Sequence, residues 1–183
     1  DLMAAFLMRD TMTLQIKKAS LSDLPYIEHL RRAESEDIGF IPQQRYEMEI
    51  NGERHGSIYL AWENGDPVGF IYATHNRAGV THVQQAVVQE DARRLERASS
   101  LVLAVQKPTD YLLSCRCAAD LESTAFWEAL GWHHTDNVAP KSGYGRGKDK
   151  STLPTRRGRI IHRYQKVVGG LWIPRADRPL AQA

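Results

Sequence analysis

Residues 80–115 contain the pattern that decides the fold, and they read VTHVQQAVVQEDARRLERASSLVLAVQKPTDYLLSC. Val80 to Val88 is an apolar-rich run of strand length. A charged stretch from Gln89 to Arg97 follows, and an apolar run from Ala98 to Val105 then predicts a helix. Tyr111 to Cys115 predicts another strand. This succession indicates a sheet with helices packed on its faces.

The flanking sequence adds strands and helices on both sides of this stretch. Before it we expect a strand at Leu14 to Ile16, a helix after Ser20, a second helix from Ile41 to Ile50, and a hairpin of Ile58–Trp62 with Val68–Tyr72. After it we expect a helix from Ser123 to Leu130 closed by Gly131, a strand from Trp132 onward and a last strand from Arg159 to Val168. The order β, α, α, β, β, β, α, β, α, β, β predicts an α/β (α+β) protein with a mixed sheet.

Composition fits one folded domain. The chain has 183 residues, of which 42% are hydrophobic and 25% charged, which excludes disorder throughout. Its apolar runs are far shorter than the roughly 20 residues that cross a bilayer, so we expect a soluble protein. Residues 1–11 are expected to be a leader, either non-native or disordered, residues 12–168 the domain, and residues 169–183 a C-terminal extension.

Cysteine usage bears on compartment and on metals. Cys115 and Cys117 are too close in a strand to form a structural bridge, which favours a reducing, cytoplasmic setting. Although His133 and His134 follow, two cysteines without a paired ligand motif predict no metal site.

The stretch between the last two strands is strongly basic. From Lys141 to Arg159 it holds seven basic residues against one acidic residue, Asp149, with four glycines among them. It is therefore expected to be a loop. Two interpretations remain open: a solvated surface loop, or a patch for phosphates or an acidic partner.

Residues 86–98, which read AVVQEDARRLERA, run from the end of a strand through an arginine-rich loop into the start of a helix. This stretch resembles the strand, pyrophosphate loop and helix start, written Q/R-x-x-G-x-G/A, of the GNAT superfamily, the acyl-coenzyme A-dependent N-acyltransferases. Arg93 takes the first motif position and Ala98 the last, but Glu96 stands where the family usually has glycine. Backbone N–H groups at a helix N-terminus suit a pyrophosphate.

A second stretch resembles another motif of the same family. Residues 120–132, DLESTAFWEALGW, are similar to the segment N-x-x-A-x-x-F-Y-x-x-L-G-F, whose helix lies beside pantetheine and its thiol. Phe126, Leu130 and Gly131 match, and Trp132 keeps the final aromatic residue. Trp127 replaces a tyrosine that often reprotonates the departing thiolate, and indole is not a usable acid.

The resemblance spans residues 12–168 and implies the family's fold, a mostly antiparallel sheet of about 6–7 strands flanked by about 4 helices. It implies direct transfer of an acyl group, an acetyl group above all, from acyl-coenzyme A to an amine. No metal is expected. Coenzyme A is expected to contact Ala86, Val87, Val88, Arg93, Arg94, Leu95, Glu96, Arg97, Ala98, Asp120, Ser123, Phe126 and Trp127.

The catalytic groups are less clear, because the family's glutamate on the fourth strand is missing. His82 is the nearest titratable substitute as general base, and Glu34, Glu36 and His75 are less favoured candidates. Tyr111 and Ser114 are the preferred candidates for the acid that reprotonates the thiolate. Tyr144 and Cys115 are further candidates from the same neighbourhood.

The acceptor is open at this point. The resemblance implies that the basic loop, between the last two strands, borders the acceptor cleft. The residues expected to contact an acceptor there are Tyr144, Arg146, Lys148, Arg156 and Arg157. A nucleic acid base or another polyanion-linked amine, a small amine and a protein amino group all remain candidates. The departures at Glu96 and Trp127 and the missing glutamate leave an alternative, a catalytically inactive GNAT-fold module that binds nucleic acid or a protein partner.

Overall fold

The computed structural model describes residues 14–93, 95–138 and 160–169, with the backbone alone at residues 36 and 95. The strands in these ranges are β1 (Leu14–Lys18), β2 (Gly56–Glu63), β3 (Asp66–His75), β4 (Val80–Val88), β5 (Leu112–Ala118), β6 (His133–Asn137) and β7 (Ile161–Val167). The helices are α1 (Leu24–Ala33), α2 (Ser35–Ile38), α3 (Gln43–Ile50), α4 (Leu95–Val105) and α5 (Ser123–Ala129), with short 3-10 turns at Leu21–Asp23 and Glu90–Ala92.

The strands form one seven-stranded sheet in the order β1-β2-β3-β4-β5-β7-β6. The β1–β2, β5–β7 and β6–β7 pairs are antiparallel, whereas β4 and β5, which are connected through α4, are parallel. Mixed pairing with helices between strands is the predicted fold class, and that prediction is confirmed.

Local sequence signals explain where several elements begin and turn. Ser20 and Asp23 form the capping box that starts the first helical segment, with the Ser20 backbone N–H donating to Asp23 Oδ2 at 2.7 Å. Asn64 and Gly65 turn β2 into β3, and both have positive φ, 53° and 90°, as a tight hairpin turn requires. The helix predicted from Ile41 to Ile50 is α3. It begins at Gln43, because Pro42 precedes it in extended backbone.

The chain divides into two compact units. Unit 1 comprises the described residues up to Ala73 together with Gln85–Val105, and unit 2 comprises Thr74–Gln84 and the described residues from Gln106 onward. Unit 1 has a buried core that is centred on Ala19, Leu24, Ile27, Leu30, Tyr46, Ile58, Leu60, Phe70, Tyr72 and Val87. Unit 2 buries Leu113, Cys115, Tyr164, Trp127 and Trp132.

Across the part of the chain that the structure describes, no helix combines the length and the apolar character needed to cross a membrane.

Candidate active site

The end of β4 supplies the first part of the candidate cofactor segment, within unit 1. Ala86, Val87 and Val88 are its last three residues. The β4–β5 ladder runs from Val80↔Leu112 to Val83↔Cys115, so β4 continues for five residues past its last β5 partner. Residues 84–88 therefore take no part in that ladder.

Gly69 on β3 lets the backbone come very close to this end of β4. A Cβ at Gly69 would lie 2.6 Å from the carbonyl oxygen of Val87 and 3.1 Å from Cα of Val88. The Gln89 N–H donates to the Val68 carbonyl oxygen at 2.9 Å, which fixes the strand where the loop begins. Only glycine fits at position 69, because any side chain would collide with the backbone of β4. The close approach and the hydrogen bond together fix the start of the loop.

Arg93 lies in the loop between β4 and α4 and bridges two parts of unit 1. Its Nε donates to the Val88 carbonyl oxygen at 3.1 Å, and its Nη2 lies 2.6 Å from Glu34 Oε1. The Arg93 side chain is half exposed and that of Glu34 is 20% exposed. The guanidinium is thus held at the carboxyl end of β4 and paired with an anionic group.

Arg97 behaves differently, although it was predicted alongside Arg93. It lies on α4, its side chain is only 8% exposed, and its Nη2 is 2.5 Å from Glu63 Oε1. Its Nε also donates to Glu63 Oε2 at 3.0 Å. This bidentate buried pair ties α4 to the end of β2.

The other predicted residues of this segment lie at the start of α4. Leu95 begins the helix, Glu96 is exposed in its first turn, and Ala98 is half-buried one residue after Arg97. Arg94 is outside the described residues.

The second predicted cofactor motif forms α5 and the turn before it, in unit 2. Asp120 lies in the turn, and Ser123 begins α5 with its Oγ 3.0 Å from Cys117 Sγ. Phe126 is half-buried and packs edge-on against Trp127, with ring centroids 4.9 Å apart. Trp127 in turn lies 4.7 Å from the buried Trp132. These aromatic residues join α5 to the core of unit 2, whatever else they contact.

The three predicted catalytic residues also lie in unit 2, and two of them are neighbours. His82 on β4 is the direct cross-strand partner of Ser114 on β5. Tyr111 stands just before β5, where its backbone N–H donates to the Gly79 carbonyl oxygen at 2.9 Å. Its ring packs against Gly79, at a distance of 3.1 Å from where a Cβ would be.

Burial lowers the pKa of His82, and the positive charges of Arg116 and Arg163 lower it further. His82 is half-buried, and its imidazole is consequently neutral at neutral pH. Sequence reasoning missed both arginines, because they come from strands far apart in the chain. The signal was present in the alternation of β5, where Arg116 stands between Cys115 and Cys117.

His75, one of the less favoured candidates for the general base, takes part in a chain of hydrogen bonds. Its Nδ1 lies 2.7 Å from Thr81 Oγ1, and Thr81 Oγ1 donates to Asp110 Oδ2 at 2.7 Å. Since the threonine hydroxyl donates to Asp110, Nδ1 of His75 is the donor to Thr81. The other less favoured candidates for the base are Glu34, which is already paired with Arg93, and Glu36, whose side chain is not described.

The residues predicted to contact the acceptor, Tyr144, Arg146, Lys148, Arg156 and Arg157, lie outside the described residues. Within the described ranges, no group of three or more His, Cys, Asp or Glu residues is arranged to hold a metal ion.

Comparison with protein families gives a direct result. The model of the acetyltransferase (GNAT) domain matches residues 29–144, more than half of the chain. The chain belongs to the GNAT acetyltransferase family. The strand, loop and helix around Arg93 and the helix α5 lie inside the matched range, and the resemblance inferred from their motifs is confirmed.

Solved structures agree on the fold. NAA60 from Arabidopsis thaliana, in complex with a bisubstrate analogue, is 12% identical with a TM-score of 0.65, over 86% of this chain and 99% of that one. The ribosomal-protein-S18-alanine N-acetyltransferase from Escherichia coli is 15% identical with a TM-score of 0.63, over 88% and 99%. RimL, a ribosomal L7/L12 α-N-protein acetyltransferase in complex with coenzyme A, is 10% identical with a TM-score of 0.62, over 87% and 96%. No curated protein matches the sequence.

Proposed function

We propose that this protein is an N-acyltransferase that transfers an acyl group, and specifically acetyl, from acyl-coenzyme A to an amine. One observation carries the proposal. β4 runs five residues beyond its last pair with β5, directly into an arginine-bearing loop and the N-terminus of an eleven-residue helix. A strand edge that is not used by the ladder, followed by helix N–H groups, suits an amide-containing chain that ends in a pyrophosphate.

The residues present fit coenzyme A, with one opposing feature. In this proposal, backbone groups of Ala86 to Val88 pair with the pantetheine amides at the end of β4, where the guanidinium of Arg93 also lies. Glu96 puts a negative charge in the first turn of α4, where a phosphate would also be favoured. Since its side chain is exposed, it can turn to solvent. Arg97 is given a structural role, because its guanidinium is buried and bound bidentately by Glu63, whereas that of Arg93, although paired with Glu34, is half exposed.

Bound acetyl-coenzyme A would supply a thioester whose carbonyl carbon the acceptor amine attacks. In this proposal His82 accepts the amine proton, directly or through a water molecule, because its lowered pKa keeps the imidazole neutral. A backbone N–H of residues 86–88 stabilises the developing oxyanion. Ser114 would supply the proton that the thiolate takes up when the carbon–sulfur bond breaks, and His82, its cross-strand partner, would return a proton to it. Tyr111, the other candidate acid, packs on Gly79.

The deciding experiment is thermal unfolding of the purified protein with and without acetyl-coenzyme A. A ligand that binds only the folded state stabilises it by about 2.7 kcal/mol at a hundredfold excess over Kd, so a clear rise in Tm is expected. Replacing Arg93 and Arg94 together by Ala should abolish the rise. Arg77→Ala, in the exposed turn before β4, is the matched control and should retain it.

The same experiment tests the alternative. No rise in Tm at millimolar acetyl-coenzyme A would contradict the enzyme and favour a binding module built on the same fold. A rise followed by transfer of labelled acetyl to an amine would exclude that module.

A further inference from the structure

Three strands of unit 2 place four polar residues on one face of the sheet. His82 on β4 pairs with Ser114 on β5, and Arg116, two residues further along β5, pairs with Arg163 on β7. Cross-strand partners project to the same face, and so do residues two apart in a strand. We name the set His82, Ser114, Arg116 and Arg163 the basic face.

The opposite side of these strands is more completely covered, although Ser114 on the basic face is itself only 4% exposed. Cys115, Cys117 and Tyr164 alternate with the residues of the basic face and are at most 7% exposed. The helix α5 lies over them, since Ser123 Oγ is 3.0 Å from Cys117 Sγ and Tyr164 donates to Glu128 Oε1 at 3.4 Å. The arginines are therefore not part of the packed core of unit 2.

The charges on the basic face are not balanced. Arg116 and Arg163 are direct cross-strand partners, and like charges in that arrangement repel. Asp136 on β6 lies 3.1 Å from Arg163 Nη1, with its own side chain 47% exposed. In the part of the chain that is described, no carboxylate forms an ion pair with Arg116, which is exposed. One further carboxylate between the two guanidinium groups would balance the pair and could bind in the bidentate geometry that arginine favours.

The basic face also includes the proposed general base. Burial lowers the pKa of His82, and the positive charges of the nearby Arg116 and Arg163 lower it further. Arg116 is one strand and two residues away from His82, and adjacent strands are about 4.8 Å apart with about 3.3 Å per residue. A carboxylate held by the arginines is therefore only a few bonds from an amine at His82.

We propose that Arg116 and Arg163 bind a carboxylate of the acceptor, and that the acceptor is an amine with a carboxylate a few bonds away. This inference rests on the proposed acyltransferase function. The carboxylate belongs either to a free amino acid or to the first residue of an acidic peptide, and these two sources share the same chemistry.

Matched pairs of acceptors test the proposal. L-alanine against L-alaninamide represents the free amino acid, and a tripeptide amide beginning with aspartate against one beginning with asparagine represents the peptide. With acetyl-coenzyme A saturating, the member with the carboxylate should have at least about a tenfold higher kcat/KM in one of the two pairs. The pair that shows the preference identifies the source. Equal kcat/KM within both pairs would overturn the proposal.

Variants attribute the preference to the arginines. Arg116→Gln and Arg163→Gln, assayed at a pH above the His82 midpoint, should each raise KM for the carboxylate acceptor far more than for its carboxamide partner, while the Tm rise with acetyl-coenzyme A persists. Arg77→Gln, which removes an exposed arginine of the same unit, should change neither acceptor. Asp136→Asn removes the competing carboxylate and should lower KM for the carboxylate acceptor, a gain that misfolding cannot produce. Equal losses for both members of a pair would contradict a carboxylate site.

A binding measurement separates this proposal from the proposed function. N-acetylalanine and N-acetylalaninamide are titrated into the protein while the His82 ring signals are followed by NMR. The carboxylate should shift these signals and raise the pKa of His82, and the carboxamide should not. That result without any acetyl transfer would contradict the acyltransferase and keep the carboxylate site. Transfer without selective binding or preference would contradict the carboxylate site alone.

Discussion

The cofactor segment and the basic face use the same strand in opposite ways. In unit 1, the cofactor segment is the continuous stretch of residues 86–98, whose backbone is proposed to make most of the contacts, with Gly69 permitting the close approach of β3 to β4. In unit 2, the basic face is assembled from side chains of three strands, β4, β5 and β7. A site made of backbone is visible in a local motif, whereas a site made of scattered side chains needs the strand register.

The largest expected effect separates the two arginines of the cofactor segment. Arg97→Ala leaves Glu63, only 12% exposed, without its ion-pair partner, and breaking such a pair costs up to about 3–5 kcal/mol. Arg93→Ala removes a half-exposed pair, worth less than about 1 kcal/mol. Urea unfolding measures both free energies. Replacing Arg97 and Glu63 together by Met and Leu should recover most of the loss, and similar losses for the two single variants would show that Arg97 has no special structural role.

The next effect tests the basic face as the place of proton transfer. His82→Gln removes the proposed base and should lower kcat by about a hundredfold, with the Tm rise caused by acetyl-coenzyme A unchanged. In the native protein kcat/KM should fall as the pH drops through the lowered pKa of His82. Arg116→Gln should move that midpoint to higher pH. The exposed His55 provides the control, His55→Gln, and an unchanged kcat in His82→Gln would assign the base to another group.

Acid should weaken unit 2 more than unit 1. Burial lowers the pKa values of His75 and His82 from 6.5, and both lie in unit 2. Below pH 6.5 the unfolded chain therefore takes up protons before the folded chain does, and the free energy of unfolding decreases as the pH falls. Hydrogen exchange at pH 7.5 and pH 5, corrected for intrinsic rates, should show lost protection in β5 before β2. The opposite order would contradict this pH dependence.

The smallest effect concerns the departure from the family's motif. Glu96→Gln removes a negative charge from the first turn of α4 and should tighten coenzyme A binding by about twofold to fivefold, the usual effect of a charge at a helix terminus. Isothermal titration measures the change, with Glu53→Gln, exposed after α3, as the control. Weaker binding in Glu96→Gln would show that the carboxylate assists the cofactor.

Local chemistry explains why the elements could be predicted. The Asn64–Gly65 turn and the Ser20–Asp23 cap act within a few residues, and the structure has both. The short helix α2 was missed, because its four residues contain no apolar repeat. Arg93 and Arg97 looked alike in the sequence, and only the position of Glu63, which is distant in the chain, distinguishes them.

For the candidate site too, the local segments could be predicted from the sequence and the long-range partners could not. The strand, loop and helix around residues 86–98 needed only a motif, and the family match covers them. Arg116 and Arg163 are 47 residues apart by number and become partners only when β5 and β7 pair. No pattern within a single segment contains that information.

The reactivity of the two free cysteines can be used to measure local opening of unit 2. Cys115 and Cys117 are buried at 3% and 7% exposure beneath α5, one strand position on either side of Arg116. A thiol reagent can reach them only when this part of unit 2 opens. The labelling rate under native conditions therefore counts those openings, and an acceptor that binds to the basic face would slow it without any assay of catalysis.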